Sequence, residues 1–203
     1  MRRTVGTYYQ WVADLDATDE EAGALGQRVV DDLVRRGVVL PGLSSEAALG
    51  GQGHPVGPAW PETVEHPVPG GVSGEPPWGL EVRLGREVHD GAQYSVEAVT
   101  CPRCSVRRPF YGPPDELGPT GTDEAGLRAF YEAAATWRDG GEADLACAAC
   151  GTTAPVTRWQ AEGAALASLV FVFWEWDELR PEVLRWIADA TGGHRIVDGP
   201  GKV

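Results

Sequence analysis

A chain of 203 residues with 30 acidic against 17 basic side chains carries a formal net charge of −13. That excludes general affinity for nucleic acid or an anionic membrane, because both need a positive field; a basic partner would be attracted. Leu, Val and Ala are plentiful, eight tryptophans supply bulk, and the length allows one sizeable core with a small satellite module.

The chain has no Asn and a single Lys, Lys202, against abundant Ala, Gly, Arg, Pro and Val. This bias matches codons rich in G and C, the habit of a high-GC bacterial genome, so Arg in place of Lys is no sign of phosphate recognition. Met1-Arg2-Arg3 starts like a signal peptide, but Tyr8-Tyr9-Gln10-Trp11 and Asp14-Leu15-Asp16 supply no apolar stretch behind it, and a cytoplasmic location is expected.

Val5 to Val12 mixes aromatic and β-branched residues and reads as a first strand. Thr18-Asp19-Glu20-Glu21 is a capping box, and Ala22, Leu25, Val29 and Leu33 then recur at helical spacing until Gly37 offers a left-handed stop. From Pro41 to Gly79 there is no Lys or Arg, while nine Gly and eight Pro interrupt every period, so 41–79 reads as one long loop. Trp60 and Trp78 are its bulky members; such rings anchor a loop on a core or hold a partner. His54 and His66 share the loop with Glu62 and Glu65 and are its candidates for acid–base or metal chemistry.

Leu80, Val82 and Leu84 alternate with Glu81 and Arg83, and Tyr94, Val96 and Ala98 alternate with Ser95 and Glu97, around Asp90-Gly91. The pattern predicts a hairpin whose second strand leads into Cys101. All four cysteines then fall into two pairs, Cys101-Pro102-Arg103-Cys104 and Cys147-Ala148-Ala149-Cys150. Each pair suits a tight turn presenting two thiolates, and two such turns complete a four-sulfur shell for one structural Zn2+ with no open position. The two pairs are separated by 42 residues, longer than the usual spacing of roughly 15 to 20, so an insertion must lie between them. A helix fills it, starting after Thr122 and ending at Asp139-Gly140-Gly141, with Leu127, Phe130, Ala134 and Trp137 on one face.

Cys-Pro-x-Cys also resembles the redox dithiol of glutaredoxins, which lowers a thiol pKa at a helix N-terminus. Here the downstream prolines Pro109, Pro113 and Pro114 prevent such a helix, and the second pair would stay unexplained. Residues 94–160 resemble instead the zinc-ribbon superfold, and the resemblance implies a metal-stabilised module. Arg103, Arg107 and Arg108 cluster at the first pair, where nucleic-acid-binding ribbons place contacts; they equally offset the negative charge of a tetrathiolate centre.

Ala164 to Trp174 is a near-continuous apolar run fit for a central strand. Trp174-Glu175-Trp176-Asp177 follows at its end; alternation would turn both indoles to one side and Glu175 to the other, and strand ends often carry ligands. Pro181, the apolar row Val183, Leu184, Ile187 and Ala190, and Gly192-Gly193 bracket a last helix, and His194 to Val197 forms a last strand. The order predicts an α/β (α+β) fold of two βα units, loosely ferredoxin-like, in residues 1–93 and 161–203, with the zinc-ribbon-like module 94–160 inserted. The expected role is that of a non-enzymatic interaction or adaptor protein, such as an acidic immunity or antitoxin protein masking a basic toxin. The residues offered as its partner or ligand surface are Trp60, Trp78, Arg103, Arg107, Arg108, Trp174, Glu175 and Trp176. A small enzyme with its cleft between the 41–79 loop and Trp174–Asp177, and a transcription-associated zinc ribbon, are the alternatives.

Overall fold

The computed structural model describes residues 6–67, 76–91, 96–117 and 120–203. The predicted contributions of Met1 to Val5, Tyr94 and Ser95 lie outside them. The fold is mixed α+β, and the chain divides into two compact units, Met1–Gly85 with Gly91–Gln93 and Ala167–Val203, and Arg86–Asp90 with Tyr94–Leu166.

The first unit is built on β1 (Tyr8–Asp14), α1 (Ala22–Arg35), β2 (His54–Pro55), β3 (Gly79–His89), β9 (Ala165–Trp174), α4 (Pro181–Ala190) and β10 (Ile196–Lys202), β3 and β9 running on into the second unit at one end. The second unit contains β4 (Ala98–Thr100), β5 (Arg107–Pro109), the single-turn α2 (Pro114–Leu117), α3 (Glu124–Arg138), β6 (Asp144–Ala146), β7 (Thr153–Pro155) and β8 (Gln160–Glu162).

Strand order in the first unit is β10-β1-β9-β3-β2, and β1 lies antiparallel to both of its neighbours. With β2 set aside, the elements run strand, helix, strand, strand, helix, strand, the order of a ferredoxin-like sandwich. Every residue of β9 is buried, as befits the middle strand. Leu169, Phe171 and Phe173 pack with Leu25, Val29 and Leu33 of α1 and Val183 and Ile187 of α4. Gly26 lets α1 approach the sheet closely: a Cβ there would stand 3.1 Å from Val82 and 3.2 Å from Leu169.

The capping contact at the start of α1 forms, with the Thr18 hydroxyl donating to the Glu21 carboxylate and the Glu21 amide donating back to Thr18, and Gly37 takes φ +73° at the other end. On the remaining face of β1 and β10, Tyr9 and Trp11 lie over Gly201 and Gly199, and the Trp11 indole donates to the Pro200 carbonyl at 3.2 Å.

Three expectations need correction. Among the described residues the predicted hairpin is not found: β3 continues to His89 and is flanked by β9 and β2, while β4 joins β5 and β8 in a separate three-stranded sheet. β9, apolar and buried along its whole length, takes the place beside β3 that the local strand was expected to fill. The last strand runs Ile196–Lys202, not His194 to Val197, since its glycines accommodate rings rather than break the strand. The 41–67 part of the long loop is built in: Ala47, Ala48 and Val64 are buried, Val39 bridges to Val56, and Val64 bridges to Leu179. Arg180 fastens it further, donating from its backbone to Thr63 and from its guanidinium to Val64.

Candidate metal centre

The first cysteine pair lies in the turn between β4 and β5, the second between β6 and β7, and both strand pairs are antiparallel. The turns repeat each other bond for bond. Cys101 donates its amide to Val106 and accepts at its carbonyl from Ser105; Cys147 donates to Thr152 and accepts from Gly151. The residue after each second cysteine is left-handed, Ser105 at φ +56° and Gly151 at φ +68°. That conformation reverses the chain and turns both sulfurs of a pair to the same side; glycine adopts it freely and serine at a modest cost.

The four sulfurs lie within 4.8 Å of one another, with Cys101 to Cys150 at 3.9 Å and Cys104 to Cys147 at 3.7 Å. Four sulfurs at about 2.3 Å from a central ion stand about 3.8 Å apart, so the shortest contacts match a tetrahedral shell. No disulfide is present, and the cluster can hold a metal ion. Cys101 and Cys147 are buried, Cys104 is half-buried and Cys150 exposed.

Crowding splits the thiols. Hydrogen bonds from the Thr152 hydroxyl and amide pull Cys150 down to about 6, and contacts from the Cys104 and Arg103 backbone lower Cys101. For Cys104 the Val106 backbone pulls downward, but desolvation and the shared protons of the other three cysteines outweigh it and push the thiol up to about 12. Protons held among crowded sulfurs are what a dication would displace.

The walls of the module come from its own core. Phe110, Phe130, Ala134, Val156 and Trp159 pack with Cys101 and Cys147. Asp123 caps α3 by accepting from the Gly126 amide, and Gly140 closes the helix at φ +91°. Arg86 donates to the terminal carbonyls of Trp137 and Gly141.

Of the arginines named from sequence, Arg107 makes a two-pronged pair with Glu162 at 2.7 and 2.6 Å, and Arg108 pairs with Asp123 at 2.6 Å. Arg103 is exposed and offers its backbone amide to Cys101 Sγ at 3.4 Å. The Trp174–Trp176 segment is interior: Trp174, Glu175 and Trp176 are 2, 2 and 1 % exposed, which removes them from any partner surface. The predicted alternation also fails there. Glu175 takes φ +60°, so Trp174 stacks with Trp78 and meets Tyr9 at a tilt, while Trp176 packs with Phe173 and Trp60 in the helix-side core. The Glu175 carboxylate accepts from the Tyr8 amide at 3.0 Å, a structural closure of the β1 end. Trp60 and Trp78 are half-buried against these indoles and act as loop anchors. His54 lies opposite Leu80 in the pairing of β2 with β3, His66 is exposed, and neither joins a cluster of metal-ligating groups among the described residues.

One polar pair was missed. Asp14, fully buried, accepts from the amides of Asp16 and Ala17 and meets His194 Nδ1 at 2.9 Å. The partners lie 180 residues apart, and no local pattern announces such a contact. No family model, curated protein or solved structure matches this chain, so its reading rests on geometry.

Proposed function

We propose that the four cysteines hold one zinc ion in a zinc-ribbon-like module, and that the protein is a cytoplasmic, non-enzymatic interaction protein that masks a basic partner. The observation that carries the metal assignment is the pair of matching cysteine turns with their sulfurs at tetrahedral spacing. Soft thiolate ligands in a tetrahedral set favour zinc among the common divalent ions. A shell filled by four cysteines leaves no position for substrate or water, so the ion's contribution is a cross-link between two hairpins.

The binding role is supported by the charge of −13, which speeds encounter with a positive surface. Against a nucleic-acid ribbon stand Arg107 and Arg108, already engaged by carboxylates. Against an enzyme cleft at Trp174–Asp177 stands the burial of its first three residues. No helix among the described residues is long and apolar enough to cross a membrane. The test is twofold: about one zinc per chain by elemental analysis of protein purified without added metal, and recovery of a stoichiometric basic protein on affinity purification that survives nuclease. A fully folded protein free of metal would remove the zinc assignment. Recovery of nothing, or of nucleic acid alone, would remove the masking role.

A further inference from the structure

Within the second unit a cavity of about 630 Å³ opens beside the second cysteine turn. That volume lies in the range of sites that enclose a ligand, and the lining is mainly apolar. Its floor is α3, which presents Gly126, Ala129, Ala133 and Thr136 in a helical row, with Phe110, Phe130 and Trp159 behind. Its flanks are two strands, β5 and β6.

Among the described residues both strands are edges: β5 has β4 on one side only, and β6 has only β7. The register decides which backbone groups are left over. In β5, hydrogen bonds at Cys101 with Val106 and at Glu97 with Phe110 make Val99 and Arg108 the bonded pair between them, so Arg107 and Pro109 point their backbone groups away from β4. In β6, bonds at Cys147 with Thr152 and at Val156 with Ala143 place Leu145 opposite Ala154 in the bonded phase, so Asp144 and Ala146 point away from β7. Among the described residues, the amides and carbonyls of Arg107, Asp144 and Ala146 have no backbone partner. An apolar trough flanked by open strand edges is the geometry that takes up an extended peptide.

The charge at the mouth selects the peptide. Arg107 and Arg108 are neutralised by Glu162 and Asp123, whereas Glu132 and Asp144 are exposed and have no ion pair among the described residues. The uncompensated charge is therefore negative, in keeping with the chain as a whole.

We propose that this cavity binds an extended segment of a basic protein partner, which pairs its backbone with β5 or β6, seats an apolar side chain over Ala129 and Ala133, and sets Lys or Arg against Glu132 and Asp144. The proposal rests on the partner-masking reading and specifies the surface it uses. The experiment is selection of a phage-displayed random peptide library on the zinc-loaded full chain, followed by affinity measurement of the enriched peptides. Enrichment of alternating apolar and basic residues is expected. Affinity should fall at least tenfold on Ala129→Trp, which fills the trough from an exposed position, and severalfold on Glu132→Lys or Asp144→Lys. Methylation of the peptide's alternate amides should abolish binding. Unchanged metal content and circular dichroism establish that the variants are folded.

No enriched peptide, or peptides indifferent to Ala129→Trp, would overturn the proposal. So would an apolar dye that enters the cavity and is lost on Ala129→Trp while no peptide is selected, which would make this a small-molecule site. A native basic partner retained equally by wild type and Ala129→Trp overturns the cavity assignment while leaving the masking reading intact; absence of any basic partner removes both.

Discussion

Gly199→Ala tests the face of the first unit where rings lie on glycine. A Cβ at position 199 would stand 2.7 Å from Trp11 Cζ2 and 2.9 Å from Cε2. Carbon atoms settle at about 3.5–4.0 Å, so the indole must retreat by about 1 Å. Trp11 is 2 % exposed and its indole is tied to the Pro200 carbonyl, so the retreat disturbs packing and a hydrogen bond together. Overpacking of this kind costs about 1–3 kcal/mol, against which the stiffer unfolded chain returns about 0.4–1 kcal/mol. The expected net loss is about 1–2 kcal/mol, or about 2–8 °C in Tm for a chain of this length. Urea unfolding followed by circular dichroism measures it. The decisive control is the same substitution in a Trp11→Leu background, where the ring is gone and the cost should vanish. Equal cost in both backgrounds, or none in the wild type, would refute the argument.

Cys147→Ser is expected to lower metal affinity at least 100-fold and to remove amide protection from β6, β7 and α3 in hydrogen exchange, while β1 and β9 residues of the first unit stay protected; loss of protection throughout would contradict independent stability of the two units. Zinc affinity measured against a competing chelator should rise with pH, most steeply below about 6 where Cys150 also carries a proton, and still above it because the proton held by Cys104, at about 12, must be displaced. Binding should therefore release protons, seen as a buffer-dependent heat, and a flat pH profile would sink this reading. Asp14→Ala leaves two amides and His194 without their acceptor in a buried place, an expected loss of about 2–4 kcal/mol by urea titration; a loss below about 1 kcal/mol would show that water replaces the carboxylate.

What could be read from sequence was what short-range chemistry encodes. The contact between Thr18 and Glu21, the stops at Gly37 and Gly140, and the apolar rows of α1, α3 and α4 are all decided within a few residues. The cysteine spacing likewise defines each turn by itself, and the two turns bring all four sulfurs within 4.8 Å of one another. The failures are long-range. Nothing near β3 announces that its neighbour is β9, some 80 residues later, so a nearby alternating segment looked like the partner. The left-handed backbone at Glu175 reverses the parity of the two tryptophans, and glutamate is a residue for which period-2 reasoning has no warning. Gly199 and Gly201 look like strand breakers until Trp11 and Tyr9 are placed above them. The open edges of β5 and β6 are invisible to pattern, because an edge is defined by a strand that is not there.

The order of strands in the first sheet also fixes an order in time. β1 ends at Asp14, whereas its two neighbours, β9 and β10, begin only at Ala165 and Ile196. At about 5–20 residues per second, β1 spends on the order of ten seconds or more without either partner. The segment from Arg86 to Leu166, cysteines included, is complete before most of β9, α4 and β10 has been made. All four cysteines are thus available to a metal ion while the strand bearing Tyr9 and Trp11 still waits for its neighbours, so the second unit can close before the first sheet does.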